Sequence, residues 1–334
     1  MKVSIIIPCH NEEECINKYY DAMRPVRQKL DVDFEYIFVD DGSTDKTLDL
    51  VKALALKDSE VRYVSFSRNF GKEAAIYAGL KNSTGDYVGL MDADLQDPPE
   101  MLLEMYEGLQ SGEYDCVGCR RTTRKGESKI RSAFARMFYR LINKMSDVEI
   151  VDGARDYRLM TRTMTNAVLE LSERERFSKG IFSWVGFKTK WLEYKNTERV
   201  AGKTKWSFSG LTKYAVNGIE DFSTAPLKFN LILAISLFVS SLAFTVFDIV
   251  WWCLGNAMYE WFIITPIMLF VAALLAVGLV VIGEYVKKIF REVKARPIYL
   301  VRETDADLDR NADIKITCDD YTVSDTKETD KIDA

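Results

Sequence analysis

Two long apolar stretches near the end of the chain restrict its architecture more than any other feature. Residues 229–252 and 261–282 each supply the roughly 20 residues that a membrane-spanning helix requires. A buried core helix can be equally apolar, but Trp251, Trp252 and Trp261 cluster where the two stretches meet, as interfacial anchors do. The sequence therefore predicts a transmembrane hairpin, assigned to residues 229–284.

The charges around these stretches predict the orientation of the hairpin. The loop at residues 253–260 contains no lysine or arginine. The outer flanks carry Lys213, Lys228, Lys287, Lys288, Arg291, Lys294 and Arg296. By the positive-inside rule, both termini and the large N-terminal domain are cytoplasmic. The prediction is a multi-pass protein of the cell inner (plasma) membrane.

The first hundred residues alternate short apolar runs with helical segments. Residues 3–8, 34–39, 61–66 and 87–91 are typical of strands buried on both faces. This pattern predicts an α/β fold with a mostly parallel sheet flanked by helices. No G-x-G-x-x-G follows the first strand and no P-loop motif occurs, so neither a dinucleotide fold nor a P-loop ATPase is supported. The net charge of -5 gives no reason to expect nucleic acid as a partner.

The run at residues 87–91 leads directly into an acidic loop. Asp92, Asp94 and Gln96 follow at alternate positions, and Pro98-Pro99 then permits a helix to begin. Because open α/β sheets bind ligands at the carboxyl ends of their strands, we expect the chemistry here. Oxygen side chains suit Mg²⁺, which takes one or two carboxylates together with substrate phosphates. The alternative is a solvated acidic loop that caps a helix.

Weaker patterns complete the predicted organisation. Residues 130–145 form a basic amphipathic helix that suits either an anionic membrane surface or an ordinary core, and the membrane surface is preferred because of the hairpin. Cys116 and Cys119 are expected to be incidental thiols on a strand. The predicted domains are a catalytic domain (1–205), a juxtamembrane amphipathic helix (206–228), the hairpin (229–284), a basic cytoplasmic segment (285–302) and a mobile acidic tail (303–334).

Four motifs occur in a fixed order along the chain. They are Pro8-Cys9-His10-Asn11-Glu12, Asp40-Asp41-Gly42-Ser43, Asp92-Ala93-Asp94-Leu95-Gln96 and Asp156-Tyr157-Arg158-Leu159. Together they resemble the inverting family 2 glycosyltransferases, which have a GT-A fold. The D-A-D-L-Q form and the trailing hairpin are similar to the polyprenyl-phosphate glycosyltransferases, a group that includes dolichyl-phosphate mannose synthases and bactoprenol glucosyltransferases. The resemblance covers about residues 1–296.

The resemblance implies a role for individual residues. The nucleotide-sugar site would contain Pro8, His10, Glu12, Asp41 and Asp92, with His10 standing where the family usually has tyrosine. The metal, Mg²⁺ or Mn²⁺, would be held by Asp92, Asp94 and Gln96. The residues expected to be essential for catalysis are Asp94 and Asp156. The basic R-x-x-G-x-[ST]-K element of the family is matched by Arg199 and Lys205, which are expected to bind phosphate.

The expected reaction transfers one hexose (glucose, mannose or N-acetylhexosamine) from a UDP- or GDP-hexose to polyprenyl (undecaprenyl) phosphate. Arg120 and Arg131 are candidates for holding the lipid phosphate. That phosphate is mostly a dianion at cytoplasmic pH and hardly needs a base. Asp156 is therefore either the general base that the resemblance implies or an orienting partner of Arg158 or the basic cluster.

Two other functions stay open at this point. The first is a processive polysaccharide synthase, although that class resembles chains with more spans and a Q-x-x-R-W motif, which is missing here. The second is a non-catalytic membrane scaffold that binds nucleotide sugar, which would predict damaged acidic motifs. Small residues in the hairpin also suit packing against a second copy, and so a homo-oligomer.

Overall fold

The structure, a computed structural model, describes residues 1–121, 151, 153–194 and 260–308, with the single positions 236, 239, 246, 250, 253 and 254. Strands and helices alternate along residues 1–121, as the sequence predicts. The strands are β1 (Lys2–Cys9), β2 (Asp33–Asp40), β3 (Val61–Phe66), β4 (Tyr87–Leu90), β5 (Cys116–Arg121), β6 (Ala154–Thr161), β7 (Thr189–Tyr194) and β8 (Val301–Thr304). The helices are α1 (Ile16–Leu30), α2 (Thr47–Lys57), α3 (Lys72–Asn82), α4 (Met101–Gln110), α5 (Arg162–Glu170), α6 (Ser178–Trp184) and α7 (Glu260–Lys294).

Within these described ranges the strands form one sheet in the order β7-β5-β6-β4-β1-β2-β3-β8. The strands β1 to β4 run parallel, and β5 is parallel to β7. The strand β6 lies antiparallel between β4 and β5, and β8 is antiparallel to β3 at one edge. The α/β class is therefore confirmed, but the sheet is mixed, since β6 and β8 reverse direction.

Both faces of the central strands are buried, as their continuous apolar runs predict. Ile5 and Ile7 of β1 belong to one core cluster, which α1 and α4 cover, whereas Ile6 belongs to the cluster beneath α3 and α5. Helix α3 approaches the sheet closely because it has a glycine at the contact: a Cβ on Gly79 would collide with the Ile6 side chain. This close packing fixes the height of α3 above the sheet.

A buried carboxylate ties β1, β2 and the segment before β4 together. Glu35 is 1% exposed and accepts hydrogen bonds from the Ser4 hydroxyl at 2.5 Å and the Thr84 amide at 2.7 Å. Lys2 lies 2.8 Å from it and Arg62 lies 3.3 Å from it. Burial would raise the pKa of Glu35, but the hydrogen bonds from Lys2, Ser4 and Thr84 outweigh burial and lower the pKa to about 2. The ionised form is thus favoured in the folded protein.

The segment after α7 returns to the sheet as strand β8. The Ser67 amide donates to the Leu300 carbonyl oxygen at 3.0 Å, and the rings of Phe66 and Tyr299 stack at 4.8 Å. Glu303 and Thr304, which the sequence analysis assigns to the start of the mobile tail, belong to β8. Lys52 pairs with Glu303 at 2.6 Å. The predicted tail at 309–334 lies outside the described residues.

Helix α7 contains the second predicted membrane span. Within the described part of the chain, one helical segment, Phe270–Lys294, is long and apolar enough to cross a membrane, which by itself is weak support. Met268 and Leu279 are 67% and 70% exposed. Apart from a few single positions, the first predicted span is not described, so the structure does not show a hairpin. The amphipathic helices predicted at 130–145 and 206–228 also lie outside the described residues.

Candidate active site

The site lies at the sheet edge where β1, β2 and β4 end. These strands are parallel, so the loops that follow them leave the same edge. Strand β6 enters this edge from the opposite direction, with Leu90 paired to Arg158. Asp92 lies two residues after Leu90 and Asp156 lies two residues before Arg158, so both carboxylates reach this edge, where Lys72 contacts each of them. The antiparallel register therefore joins two carboxylates that are distant in sequence.

Lys72, the first residue of α3, bridges these two carboxylates. Its ammonium lies 2.6 Å from Asp92 Oδ1 and 2.6 Å from Asp156 Oδ2. The side chains of Lys72, Asp92 and Asp156 are 36%, 25% and 19% exposed. All three can therefore be reached from solvent, although a good part of each is covered. The group is an ion-paired cluster with one positive and two negative charges.

The charges of this cluster stabilise one another. Burial would lower the pKa of Lys72, but the neighbouring Asp156 and Asp92 outweigh it and raise that pKa. Burial would raise the pKa of Asp156, but Lys72, with Lys179 and Arg158 further away, holds it well below its usual range. Asp156 is accordingly a carboxylate near neutral pH, and a weak base. This favours positioning over proton removal.

The predicted metal ligands follow one another in the loop after β4. The chain turns at Leu95, whose φ is +54°, and the Gln96 amide donates to Asp94 Oδ1 at 3.2 Å. The Gln96 side-chain oxygen accepts N–H groups from Arg121 at 3.0 Å and from Arg155 at 3.3 Å. No group of three His, Cys, Asp or Glu side chains in the described ranges is arranged to hold a metal.

Two carboxylates and an amide oxygen nevertheless fit Mg²⁺ or Mn²⁺ in donor type, provided substrate phosphates complete the shell. The carboxylates of Asp92 and Asp94 are the main candidates. Gln96 could contribute its oxygen only by giving up a guanidinium contact. Because the loop supplies so few ligands by itself, we expect strong metal binding only together with a diphosphate.

An ion pair between the buried Asp97 and the partly buried Arg155 holds this loop in place. Asp97 is 2% exposed and accepts N–H groups from Arg155 at 3.0 and 3.3 Å, and it also accepts the Tyr194 hydroxyl. Burial would lower the pKa of Arg155, but Asp97 and Asp92 outweigh it and raise that pKa. The pair ties β6 and β7 to the acidic loop. Removing one partner of such a pair leaves an uncompensated buried charge, so Asp97 has a structural role.

The loops after β1 and β2 are connected to each other by hydrogen bonds. The Asn11 amide donates to the Ser43 hydroxyl at 2.9 Å, and the Thr44 amide donates to Asn11 Oδ1 at 2.8 Å. Asn11 has a positive φ of 53°. Helix α1 begins only at Ile16, because residues 11–15 form this turn.

Asp41 fixes the loop that leads into α3. It is 3% exposed, and its two oxygens accept the Phe70 amide at 2.6 Å and the Gly71 amide at 2.9 Å. Burial raises the pKa of Asp41, although the two amides oppose the change. Through these bonds Asp41 places Lys72 at the sheet edge. The carboxylate expected to face the nucleotide is thus engaged with the protein backbone.

The other residues expected in the nucleotide site surround Asp41. Pro8 is partly buried near the end of β1. His10 Nδ1 lies 2.9 Å from the Asp41 carbonyl oxygen, and the Glu12 amide donates to Thr47 Oγ1 at 2.8 Å. The structure therefore brings Pro8, His10, Glu12 and Asp41 to the same loops. Their contact with a nucleotide stays a prediction.

Two of the arginines considered for the site, Arg158 and Arg120, lie within the described residues. Arg158 is 3% exposed, donates to the backbone oxygens of Asp156 and Arg155 at 3.2 and 2.9 Å, and lies 4.0 Å from the centre of the Phe182 ring. Hence the ion-pair partner of the Asp156 carboxylate is Lys72 rather than Arg158. Arg120 pairs with Glu193 on β7, and its role in holding the lipid phosphate stays a prediction. Arg131, Arg199 and Lys205 lie outside the described residues, and their phosphate-binding roles stay predictions.

Sequence reasoning missed Lys72 and Arg155 as members of the site. A signal for Lys72 was present, because a lysine in the first turn of a helix opposes the positive end of the helix dipole. Such a placement is costly unless carboxylates compensate for it. Arg155 gave no comparable signal, since its partner Asp97 is 58 residues away in sequence. Cys116 and Cys119 are buried free thiols in β5, as expected for incidental cysteines.

Residues 4–169 match the model of the family described as glycosyl transferase family 2. The chain is also 41% identical over 302 residues to CsbB of Bacillus subtilis, an alignment that covers 90% of this chain and 91% of the relative. The chain belongs to glycosyl transferase family 2. It is therefore a glycosyltransferase, and the expected family is confirmed.

Other relatives of this family 2 transferase carry more specific names. A protein of Shigella phage SfX named bactoprenol glucosyl transferase is 39% identical over 307 residues, covering 90% of this chain and 99% of its own. A prophage bactoprenol glucosyl transferase homolog of Escherichia coli is 38% identical over 307 residues, covering 90% and 99%. The fold overlaps weakly with mannosyl-3-phosphoglycerate synthase from Rubrobacter xylanophilus, at 15% identity and a TM-score of 0.45, covering 66% of this chain and 72% of that one.

Proposed function

We propose that this glycosyltransferase moves one hexose from a nucleotide sugar to a polyprenyl phosphate at the cytoplasmic face of a membrane. The observation that carries the proposal is the meeting of Asp92, Asp156 and Lys72 at the sheet edge, beside Asp94. This edge combines acidic groups for a metal-bound diphosphate with a carboxylate that can orient an acceptor. The names of the phage and bacterial relatives support bactoprenol as the acceptor and make glucose the first sugar to test.

On the donor side, Asp92 and Asp94 would hold Mg²⁺ or Mn²⁺, with Gln96 as a third oxygen donor. Such a metal, when bound, stabilises the charge that develops on the diphosphate leaving group. The turn at Leu95 and the ion pair of the buried Asp97 with Arg155 keep these oxygens at the sheet edge. The rigid support matters because preorganised charges stabilise a transition state without further rearrangement.

On the acceptor side, Asp156 would orient the attacking phosphate rather than deprotonate it. Lys72 keeps the pKa of Asp156 well below its usual range, which makes this carboxylate a poor proton acceptor. A lipid monophosphate has a second pKa near 6 and is mostly a dianion at neutral pH. It therefore needs no base. The Asp156 carboxylate and the acceptor phosphate are both negative, so a cation must lie between them. Lys72 already contacts Asp156 and can supply that charge.

Helix α7 would hold the catalytic domain against the bilayer that contains the lipid acceptor. Its exposed apolar side chains suit a lipid environment, and its last turn carries Arg291 and Lys294. Strand β8 then returns the chain to the catalytic sheet, so this end of α7 and the sheet lie on one side of the membrane. By the positive-inside rule that side is the cytoplasm.

The proposal is tested with membranes that contain the full-length protein. Labelled UDP-glucose, UDP-N-acetylglucosamine and GDP-mannose are each incubated with undecaprenyl phosphate and Mg²⁺, or with Mg²⁺ alone. We expect label from one donor to enter the organic phase only when the lipid is present, and Asp92→Asn to abolish this transfer. Lys81→Met, an exposed substitution at the far end of α3, serves as the matched control. Release of free sugar without transfer, or donor binding without turnover, would refute the proposal.

A further inference from the structure

Lys72 occupies the space between the two carboxylates that the proposed reaction requires. One of them, Asp92, is also the first candidate ligand for the metal. The ammonium lies 2.6 Å from Asp92 Oδ1, a distance typical of a strong charge-assisted hydrogen bond. A divalent cation that binds the same carboxylate would meet a positive charge already there. The ammonium and the metal therefore compete for Asp92.

The lysine cannot easily withdraw from the site. Its backbone is fixed, because the amides of Phe70 and Gly71 are bound by the buried Asp41 and because Gly79 packs α3 closely on β1. Its second contact, to Asp156, also holds it in place. The side chain can nevertheless rotate at its end. An ammonium has three N–H donors, of which these two contacts use two.

We propose that Lys72 blocks metal binding in the donor-free enzyme and releases Asp92 when a nucleotide diphosphate arrives. The diphosphate offers the ammonium new anionic oxygens in place of Asp92, and Asp92 then becomes free to bind the metal. Lys72 thereby couples metal binding to donor binding. The inference rests on the proposed function only in assuming a nucleotide diphosphate donor, and it assigns Lys72 a positioning role with respect to the metal.

The test measures Mn²⁺ binding directly and does not depend on turnover. Purified full-length wild type and Lys72→Met are titrated with Mn²⁺, the free ion being followed by electron paramagnetic resonance, without nucleotide and with saturating UDP or GDP. Without nucleotide we expect Lys72→Met to bind Mn²⁺ about tenfold more tightly, since it lacks a charge-assisted competitor. With nucleotide both proteins should gain Mn²⁺ affinity, because the diphosphate supplies further oxygen ligands, and the wild type should gain about tenfold more than the variant, because only in the wild type does the nucleotide also release Asp92 from a competing ammonium.

Two further variants separate competition from a general structural effect. Lys72→Arg keeps the positive charge and should retain the weak Mn²⁺ binding of the donor-free wild type. Lys81→Met, the same substitution on the same helix away from the site, should bind Mn²⁺ like the wild type. Equal or weaker Mn²⁺ binding by Lys72→Met without nucleotide would overturn the inference. So would the lack of any Mn²⁺ binding by wild type with either nucleotide.

The result is distinct from that of the transfer assay. If Lys72→Met binds Mn²⁺ more tightly but no sugar reaches polyprenyl phosphate, the coupling role stands and the acceptor assignment fails. If transfer occurs while Mn²⁺ affinity is unchanged in Lys72→Met, the proposed function stands and Lys72 does not compete with the metal. Thermal unfolding of each variant shows whether it is folded. If Lys72→Met is unfolded, Lys72→Gln takes its place as the uncharged variant, and Lys72→Arg stays the charged control.

Discussion

Replacing Asp156 by asparagine separates the two roles considered for this carboxylate. The substitution keeps the shape of the side chain but removes its charge and weakens the 2.6 Å contact with Lys72. A hydrogen bond to a charged group contributes roughly 1.5–3 kcal/mol, so transfer should fall about tenfold to a hundredfold. Because Lys72 holds the pKa of Asp156 well below its usual range, the wild-type carboxylate is ionised throughout the assay. The loss should therefore be the same at every pH.

The assay is the initial rate of organic-extractable label, measured from pH 5 to pH 8.5 with saturating donor. We expect wild type and Asp156→Asn to lose rate together on the acid side, with a midpoint near the second pKa of the lipid phosphate, about 6. Glu113→Gln, which removes an exposed carboxylate paired with Lys188, is the control and should match the wild type. If the acid limb disappears in Asp156→Asn, Asp156 is the general base and the positioning role is refuted.

Four further outcomes are expected. The lowering of the Glu35 pKa from 4.5 to about 2 contributes roughly 3 kcal/mol to the free energy of unfolding, and this contribution is present above pH 4.5 and lost as the pH falls toward 2. The difference in unfolding free energy between wild type and Glu35→Gln, measured in denaturant, should therefore shrink between pH 4.5 and pH 2. A difference that stays constant over this range would show that Glu35 is not stabilised in its ionised form. Asp94→Ala should abolish sugar transfer while the protein stays folded, and excess chelator should abolish transfer by the wild type. Full wild-type turnover in excess chelator would exclude a role for the metal. Arg199→Ala and Lys205→Ala should each reduce kcat/KM about tenfold to a hundredfold, and by the same factor for every nucleotide sugar tested. A changed preference among the sugars would count against phosphate binding. Cys253, as the sole thiol, should react with an impermeant reagent in intact cells, while a cysteine placed in the acidic tail should not; the reverse result would invert the topology.

The parallel half of the fold could be predicted because its information is local. The apolar runs of β1 to β4 and the helices between them are each visible within a short window of sequence. Strand β6 could not be placed, because it pairs with β4 across more than 60 residues and inserts between β4 and β5. The charged strand β8 was predicted to belong in part to a solvated tail. Its position depends on long-range pairs such as Lys52 with Glu303 and Arg62 with Asp305.

The candidate site also has one part that could be predicted from local sequence and one part that could not. The acidic loop after β4 could be located from its own sequence, since the strand end and the alternate oxygen side chains lie within ten residues. The cluster of Lys72 with Asp92 and Asp156 could not, because it forms only when α3, β4 and β6 come together. The hydrogen bonds from the backbone amides of Phe70 and Gly71 to Asp41 could not be predicted either, because a sequence does not distinguish a buried carboxylate from a ligand-binding one.

Mass spectrometry of the lipid product shows directly whether one sugar is transferred to polyprenyl phosphate. Full-length protein in membranes is incubated with undecaprenyl phosphate and an unlabelled mixture of nucleotide sugars, and the organic phase is analysed. We expect one new lipid, heavier than the acceptor by a single hexose or N-acetylhexosamine, whose formation requires both Asp92 and Asp156. A ladder of products with increasing sugar number would identify a processive synthase. An unchanged lipid would contradict polyprenyl phosphate as the acceptor.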